Sequence, residues 1–123
     1  MKVLLTGAAG FIGMHCAARL AARGDEVLGV DNLSPYYSVE LKRARLRELE
    51  RSTRFAFEQA DIAEAGALER VMVRVQPETV LHLAAQPGVR YSLENPSSYV
   101  QANLVGFANV LEACRRHSPR HLV

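Results

Sequence analysis

Cysteine is scarce in this sequence, occurring only at Cys16 and Cys114, and the formal net charge is only +2. The two thiols lie far apart in sequence, with no CxxC pair and no histidine spacing that fits zinc, so neither a disulfide framework nor a metal is indicated. They read as core thiols of a reducing cytosol. No apolar run reaches the roughly 18 residues of a membrane span. The start "MKVLLTGAAG" is interrupted by glycine before a signal-peptide core forms, which points to a cytoplasmic protein. Basic residues are interleaved with acids, so neither nucleic acid nor an anionic membrane surface is an expected partner. Function has to be read from local sites.

What is present is a 123-residue chain, 49% hydrophobic and 23% charged, the size and composition of one domain with a real core. Short β-branched runs alternate with longer segments of helical period. The strands expected are "KVLLT", "EVLGVD", "FAFEQA", "TVLHLA" and a terminal "HLV". The first crossover helix places Ile12, Cys16 and Leu20 on one stripe and stops at Gly24. In "VELKRARLRELERS" the signs alternate, with Glu40 and Arg43, Arg45 and Glu48, and Arg47 and Glu50 spaced to pair on a solvated face. The last helix starts with Asn95 as N-cap and Pro96 at its first position and is expected to bury Tyr99, Val100, Leu104, Phe107, Leu111 and Cys114. This is an α/β pattern, a Rossmann-type doubly wound parallel sheet in the order 3-2-1-4-5 with the fifth strand truncated. Ligands of such sheets bind in the crevice above strands 1 and 4.

Between the first strand and the first helix runs "TGAAGFIG", with Gly7, Gly10 and Gly13 at intervals of three. A helix start offers unpaired N–H groups and a positive dipole end, and a diphosphate reaches them only where no Cβ intervenes. Gly7 and Gly10 fit that role, while Gly13 lets the helix lie close on the sheet. Asp31 ends the second strand 18 positions after Gly13, where a carboxylate hydrogen-bonds an adenosine ribose diol and repels a 2′-phosphate. The cofactor expected is therefore NAD. Asp31 also reads as a turn residue at the entry to "DNLSP". Asp61 is either an adenine contact or, with Glu64, a helix capping box. Asn103 falls on the apolar stripe of the last helix, so it either bonds a backbone group in the core or orders the site from behind. His82 reads as a packed core histidine, and no second ligand supports a metal.

With "TGAAGFIG", "GVDNL", "DI", "HLAAQPGVRYSLENP" and "NLVGFANVLEAC" in this order, the chain resembles the extended short-chain dehydrogenase/reductase family of NAD-dependent sugar-nucleotide epimerases and dehydratases, over all 123 residues. "GVRYSLENP" and "DNLSPYYSVELKRARL" look most like its UDP-glucuronate 4-epimerase subfamily. The resemblance implies that Gly7, Gly10, Phe11, Ile12 and Gly13 line the diphosphate, Asp31 and Asn32 hold the adenosine ribose, and Asp61 and Ile62 flank the adenine. It further implies that Leu83, Ala84, Ala85, Gln86 and Asn103 belong to the cofactor site. Arg90, Tyr91 and Ser92 would lie nearest the UDP-sugar substrate. Pro87 departs from the subfamily's usual small residue and removes one N–H from that loop.

The implied reaction is oxidation of the sugar at C4 and re-reduction on the other face, with NAD regenerated. It relies on a Ser/Thr and a YxxxK motif, and none of Tyr36, Tyr37, Tyr91 and Tyr99 is followed four positions later by lysine. Residues 1–123 are therefore expected to be an incomplete NAD-binding domain, inactive alone, with no catalytic residue in the chain and the substrate domain elsewhere. Pairing into a homodimer is expected of the complete protein. UDP-glucose 4-epimerases and nucleotide-sugar 4,6-dehydratases share this half, and a non-catalytic dinucleotide-binding module is the alternative of another class.

Overall fold

The computed structural model describes residues 1–123. Strands β1 (Lys2–Thr6), β2 (Glu26–Asp31), β3 (Phe55–Gln59), β4 (Thr79–His82) and β5 (His121–Leu122) form one parallel sheet. Their order is β3-β2-β1-β4-β5, as the sequence pattern predicts. β1 is central because its side chains are apolar on both faces. Leu4 and Leu5 point to opposite sides and are both fully buried.

Helices α1 (Phe11–Arg23) and α2 (Val39–Leu49) cover one face, where Ala17, Leu46 and Leu49 pack on Leu5, Val27 and Phe55. Helices α3 (Ala67–Val75) and α6 (Phe107–His117) cover the other, where Val71, Met72, Val110 and Ala113 pack on Leu4, Val30 and Val80. α1 ends at Gly24, whose φ of +101° is the left-handed cap that glycine adopts freely. The short helices α4 (Tyr91–Glu94) and α5 (Pro96–Tyr99) precede α6, and a π-helical stretch, Val100–Gly106, joins α5 to it. Asn95 caps α5 as expected, its side chain accepting from the Ser98 N–H at 3.3 Å, with Pro96 at the first position.

The helical faces differ from the expected ones. On α1 the buried residues are Gly13, Ala17 and Ala21, one position off the predicted stripe, and Ile12 is exposed. Small side chains win because the helix lies close on the sheet. The final helix is not one continuous α-helix, and Val100, Leu104, Phe107 and Leu111 are exposed, not buried. Gly106, Val110 and Ala113 carry the contact instead. A Cβ on Gly106 would stand 2.8 Å from the Ile62 side chain, whose tip would have to shift to admit it. On α2 none of the three expected charge pairs forms, and Arg51 pairs with Glu48 instead. The Asp61–Glu64 capping box is also not made. α3 starts six residues after Asp61, capped by Gly66, and Glu64 pairs with Arg70 at 3.0 Å.

Candidate functional site

The carboxyl ends of β1, β2 and β4 open into a cleft of about 530 Å³, within the range of small-molecule and cofactor sites. At its floor the chain leaves β1 through Gly7, whose φ is +76°. An added Cβ there would come within 2.8 Å of the Leu83 carbonyl group. Gly7 is thus required by the backbone of β4's exit, whether or not a ligand binds. Gly13 answers to a neighbour too. Its missing Cβ would collide with the Gly7 carbonyl oxygen and stand 2.8 Å from the carbonyl carbon, so it seats α1 on the glycine turn rather than on the sheet.

Gly10 differs from both. Its backbone (φ −72°, ψ 168°) is open to any residue, and an added Cβ would meet only the Gly7 carbonyl oxygen, at 3.1 Å. Glycine there keeps the cleft clear. Above it the N–H groups of Phe11, Ile12 and Gly13 have no partner within the chain, as expected for a helix's first turn. These three donors and the helix dipole make the floor an anion cradle.

Asp31 closes the cleft on the β2 side. Its carboxylate accepts the Ala9 N–H at 3.0 Å and the Leu33 N–H at 2.8 Å, tying the glycine turn to the loop after β2. The turn reading and the ribose reading of Asp31 are therefore compatible, because each carboxylate oxygen retains a free lone pair. Asn32 donates to Asp61 at 3.1 Å, and Asp61 in turn accepts the Ala63 N–H at 2.8 Å. Gly7, Gly10, Phe11, Ile12, Gly13, Asp31, Asn32, Asp61, Ile62, Leu83, Ala84, Ala85 and Gln86 all line the cleft.

Asn103 does not line it. The residue is exposed rather than part of a buried stripe, and its amide grips the Gln86 backbone on both sides, accepting from N–H at 2.8 Å and donating to C=O at 3.1 Å. It orders the loop after β4 in the way a neighbouring strand would. Arg90, Tyr91 and Ser92 stand outside the cleft wall. Tyr91 reaches it indirectly, packing on Tyr36, which does line the wall.

The sequence profile of the GDP-mannose 4,6-dehydratase family matches residues 4–122. The chain belongs to that family. UDP-glucuronate 4-epimerase 3 of Arabidopsis thaliana is 53% identical over 119 residues, which are 97% of this chain and 27% of that protein. A probable UDP-glucuronate 4-epimerase of Rhizobium meliloti is 50% identical over all 123 residues, 36% of its length. The structure of UDP-glucuronic acid 4-epimerase from Bacillus cereus with UDP-glucuronic acid and NAD superposes with a TM-score of 0.84 at 37% identity, covering 94% of this chain and 36% of that one. The chain thus spans about a third of the length of the relatives it matches.

Several cleft residues of this dehydratase-family chain escaped the sequence reading, among them Tyr37, Lys42 and Arg45, whose polar or charged side chains all face the cavity. Lys42 is buried and donates to the Ser34 carbonyl at 2.8 Å, and burial lowers its pKa while the charge of Asp31 opposes that shift. Arg45 donates to the Ala9 carbonyl at 3.1 Å and to the Tyr37 hydroxyl at 2.8 Å. Alternating charge along a helix looks the same whether one edge faces solvent or a site, so nothing in the local pattern marked them.

His82 is packed, as predicted, with its ring stacked on Phe107 at 5.5 Å. Thr6 Oγ1 accepts the Ala84 N–H at 3.2 Å, shares the Leu83 N–H with the Thr6 backbone carbonyl, and lies 2.7 Å from His82 Nδ1. Burial lowers the His82 pKa, which favours the neutral ring. The unfolded chain takes up a proton on this ring first, so stability is complete above the ordinary histidine value of about 6.5 and falls as pH drops through that value toward the depressed one. Thermal midpoints measured from pH 8 to pH 5 should decline below about pH 6.5, and less steeply in His82→Gln. Equal slopes would remove His82 as the titrating group.

Proposed function

We propose that residues 1–123 are the NAD-binding part of a sugar-nucleotide 4-epimerase whose substrate is UDP-glucuronate. The observation that carries the reading is the cleft floor, where three free N–H groups and the Cβ-free Gly10 face the same space as the Asp31 carboxylate. The epimerase relatives support the substrate class. The label extended short-chain dehydrogenase/reductase fits the order of motifs, and two free cysteines fit a cytoplasmic setting.

The residues present suit NAD. Phe11, Ile12 and Gly13 would hold the diphosphate through their N–H groups, and Asp31 with Asn32 would accept the adenosine ribose hydroxyls. Asp61 and Ile62 would border the adenine, and residues 83–86, with Asn103 fixing Gln86, would run beside the remainder. Bound NAD supplies a reversible hydride acceptor. The chain's own residues would position that group and exclude the phosphorylated cofactor, and Arg90, Tyr91 and Ser92, outside the cleft wall, would meet the sugar nucleotide. The groups that move the proton at the sugar hydroxyl are expected outside residues 1–123. The exposed stripe of Val100, Leu104, Phe107 and Leu111 supports pairing of two complete copies through this helix.

The test is to incubate the full-length protein with UDP-glucuronate and separate the products. UDP-galacturonate formed without accumulation of NADH is the expected result. With a nucleotide hexose that carries a 6-hydroxyl, such as UDP-glucose, a 4-keto-6-deoxy product would instead make the protein a dehydratase, the reaction that names its family. No product with any UDP-sugar, despite bound NAD, would leave a dinucleotide-binding module and overturn the epimerase reading.

A further inference from the structure

In the sheet, β1 lies between β2 and β4, so the loops that follow β2 and β4 stand on either side of the glycine turn. Two inter-strand spacings, about 9.6 Å, separate their roots. The loops nevertheless meet above the turn. The Tyr36 ring packs on the Tyr91 ring with centroids 4.9 Å apart. Its hydroxyl lies so near Gly88 that a Cβ there would collide with it, and Gly88 itself has a φ of +92°.

The two halves of this contact are built differently. On the β4 side, Asn95 donates to the Tyr91 hydroxyl at 3.1 Å, and Tyr99 stands 6.2 Å from the Tyr91 ring. The Tyr99 hydroxyl donates to the Pro87 carbonyl at 2.9 Å and also contacts that of Gly88. Burial, with Tyr36 and Tyr91 close by, raises the Tyr99 pKa and keeps that donor protonated. Tyr36, by contrast, is 39% exposed and touches the other loop through its ring and Gly88, with no hydrogen bond across. Parting the rings leaves no buried polar group unpaired, so the contact can open at little cost.

Tyr36 and Pro87 both line the cleft that the glycine turn also lines, which puts the ring contact at the cleft's edge. We propose that Tyr36 and Tyr91 form a clasp across the two lips of the cleft, closing over the diphosphate of a bound dinucleotide and setting its rate of release. The proposal rests on the dinucleotide reading of the cleft. With the clasp closed, a ligand seated on the N–H groups of Phe11 to Gly13 cannot lift off the sheet. An enzyme that returns its cofactor to the starting oxidation state each turnover gains by holding it.

The test uses the full-length protein loaded with NADH and chased with excess NAD⁺, release being followed by NADH fluorescence. Tyr36→Ala should release NADH about tenfold faster, the size expected for a lost aromatic pair. Tyr36→Phe, which keeps the ring, should stay within about twofold of wild type on the same reasoning. Tyr91→Ala removes the other half of the clasp and should match Tyr36→Ala, with thermal midpoints confirming that each variant is folded. A wild-type protein that takes up no NADH would sink the dinucleotide reading and the clasp together. Uptake by wild type with unchanged release in both alanine variants would sink the clasp alone.

Discussion

Replacing Gly13 by alanine should lower the thermal midpoint by roughly 10 °C, the consequence of about 3 kcal/mol of lost stability. The added methyl would overlap the Gly7 carbonyl oxygen and stand 3.1 Å from the Ala8 Cα, all backbone atoms with no rotamer to escape into. Either α1 lifts from the glycine turn or the turn moves. Lifting α1 would also loosen Ala17 from the sheet face that it covers, since this small residue permits the helix's close approach. Gly7→Ala should fall in the same class, because its left-handed φ of +76° costs an L-residue about 1–2 kcal/mol before any collision with β4.

Gly10 should separate cleanly from its two neighbours. Its backbone angles suit any residue, and a Cβ at 3.1 Å from one carbonyl oxygen asks that atom to give by only a few tenths of an ångström. Gly10→Ala should therefore cost less than about 1 kcal/mol in stability, yet weaken NAD affinity tenfold or more by filling the cradle. Thermal melts and calorimetric titration of the full-length variants measure both quantities. A Gly10→Ala protein that binds NAD normally would show that nothing approaches the turn at that position. Gly7 and Gly13 would then be explained by folding, and Gly10 by neither folding nor a ligand.

Much of this division was hidden in the sequence. The strands and their order were legible because runs such as "KVLLT" are apolar on both faces, which only a central parallel strand requires. The crevice was legible for a related reason, because ligands bind at the carboxyl ends of strands beside the switch point. The glycine turn and Asp31 follow from their own spacing, whereas Phe11, Ile12, Asn32, Ile62 and residues 83–86 came from the family resemblance. Which face α6 buries was not. Its exposed stripe, Leu104, Phe107 and Leu111, is more apolar than the contact made by Gly106, Val110 and Ala113. Hydropathy picks the larger side chains, whereas close packing on Ile62 and the sheet selects the smaller. Asn103, expected on that buried stripe, is exposed, and its hold on the Gln86 backbone accords with the second of its two readings, a residue that orders the site from behind. The contact of Tyr36 with Tyr91 joins residues 55 positions apart, and no local pattern announces it.

Substituting Asp31 by serine should invert the cofactor preference, because the carboxylate is the main counterweight to two cations that share its cleft. Lys42 feels the Asp31 charge directly, its pKa being pushed up by it against the effect of burial. Arg45 lies on the same helix one turn along, bonded to the Ala9 carbonyl, while the Ala9 N–H is bonded to Asp31. In the native protein a 2′-phosphate would meet a fixed carboxylate held by two N–H groups, whereas a ribose diol finds two strong acceptors. Without Asp31 the diol loses charge-assisted hydrogen bonds of about 1.5–3 kcal/mol each, and a phosphate finds Lys42 and Arg45 unopposed. The ratio of NAD to NADP affinity should therefore fall by at least about 100-fold, or some 2.7 kcal/mol, in titrations of the full-length protein. Loss of the Ala9 and Leu33 tethers would weaken both cofactors alike, so the ratio isolates the electrostatic effect. Adding Arg45→Met to Asp31→Ser should restore much of that ratio by removing the phosphate's partner. If Asp31→Ser leaves the ratio where it was, the carboxylate belongs to the turn alone and selectivity lies elsewhere in the cleft.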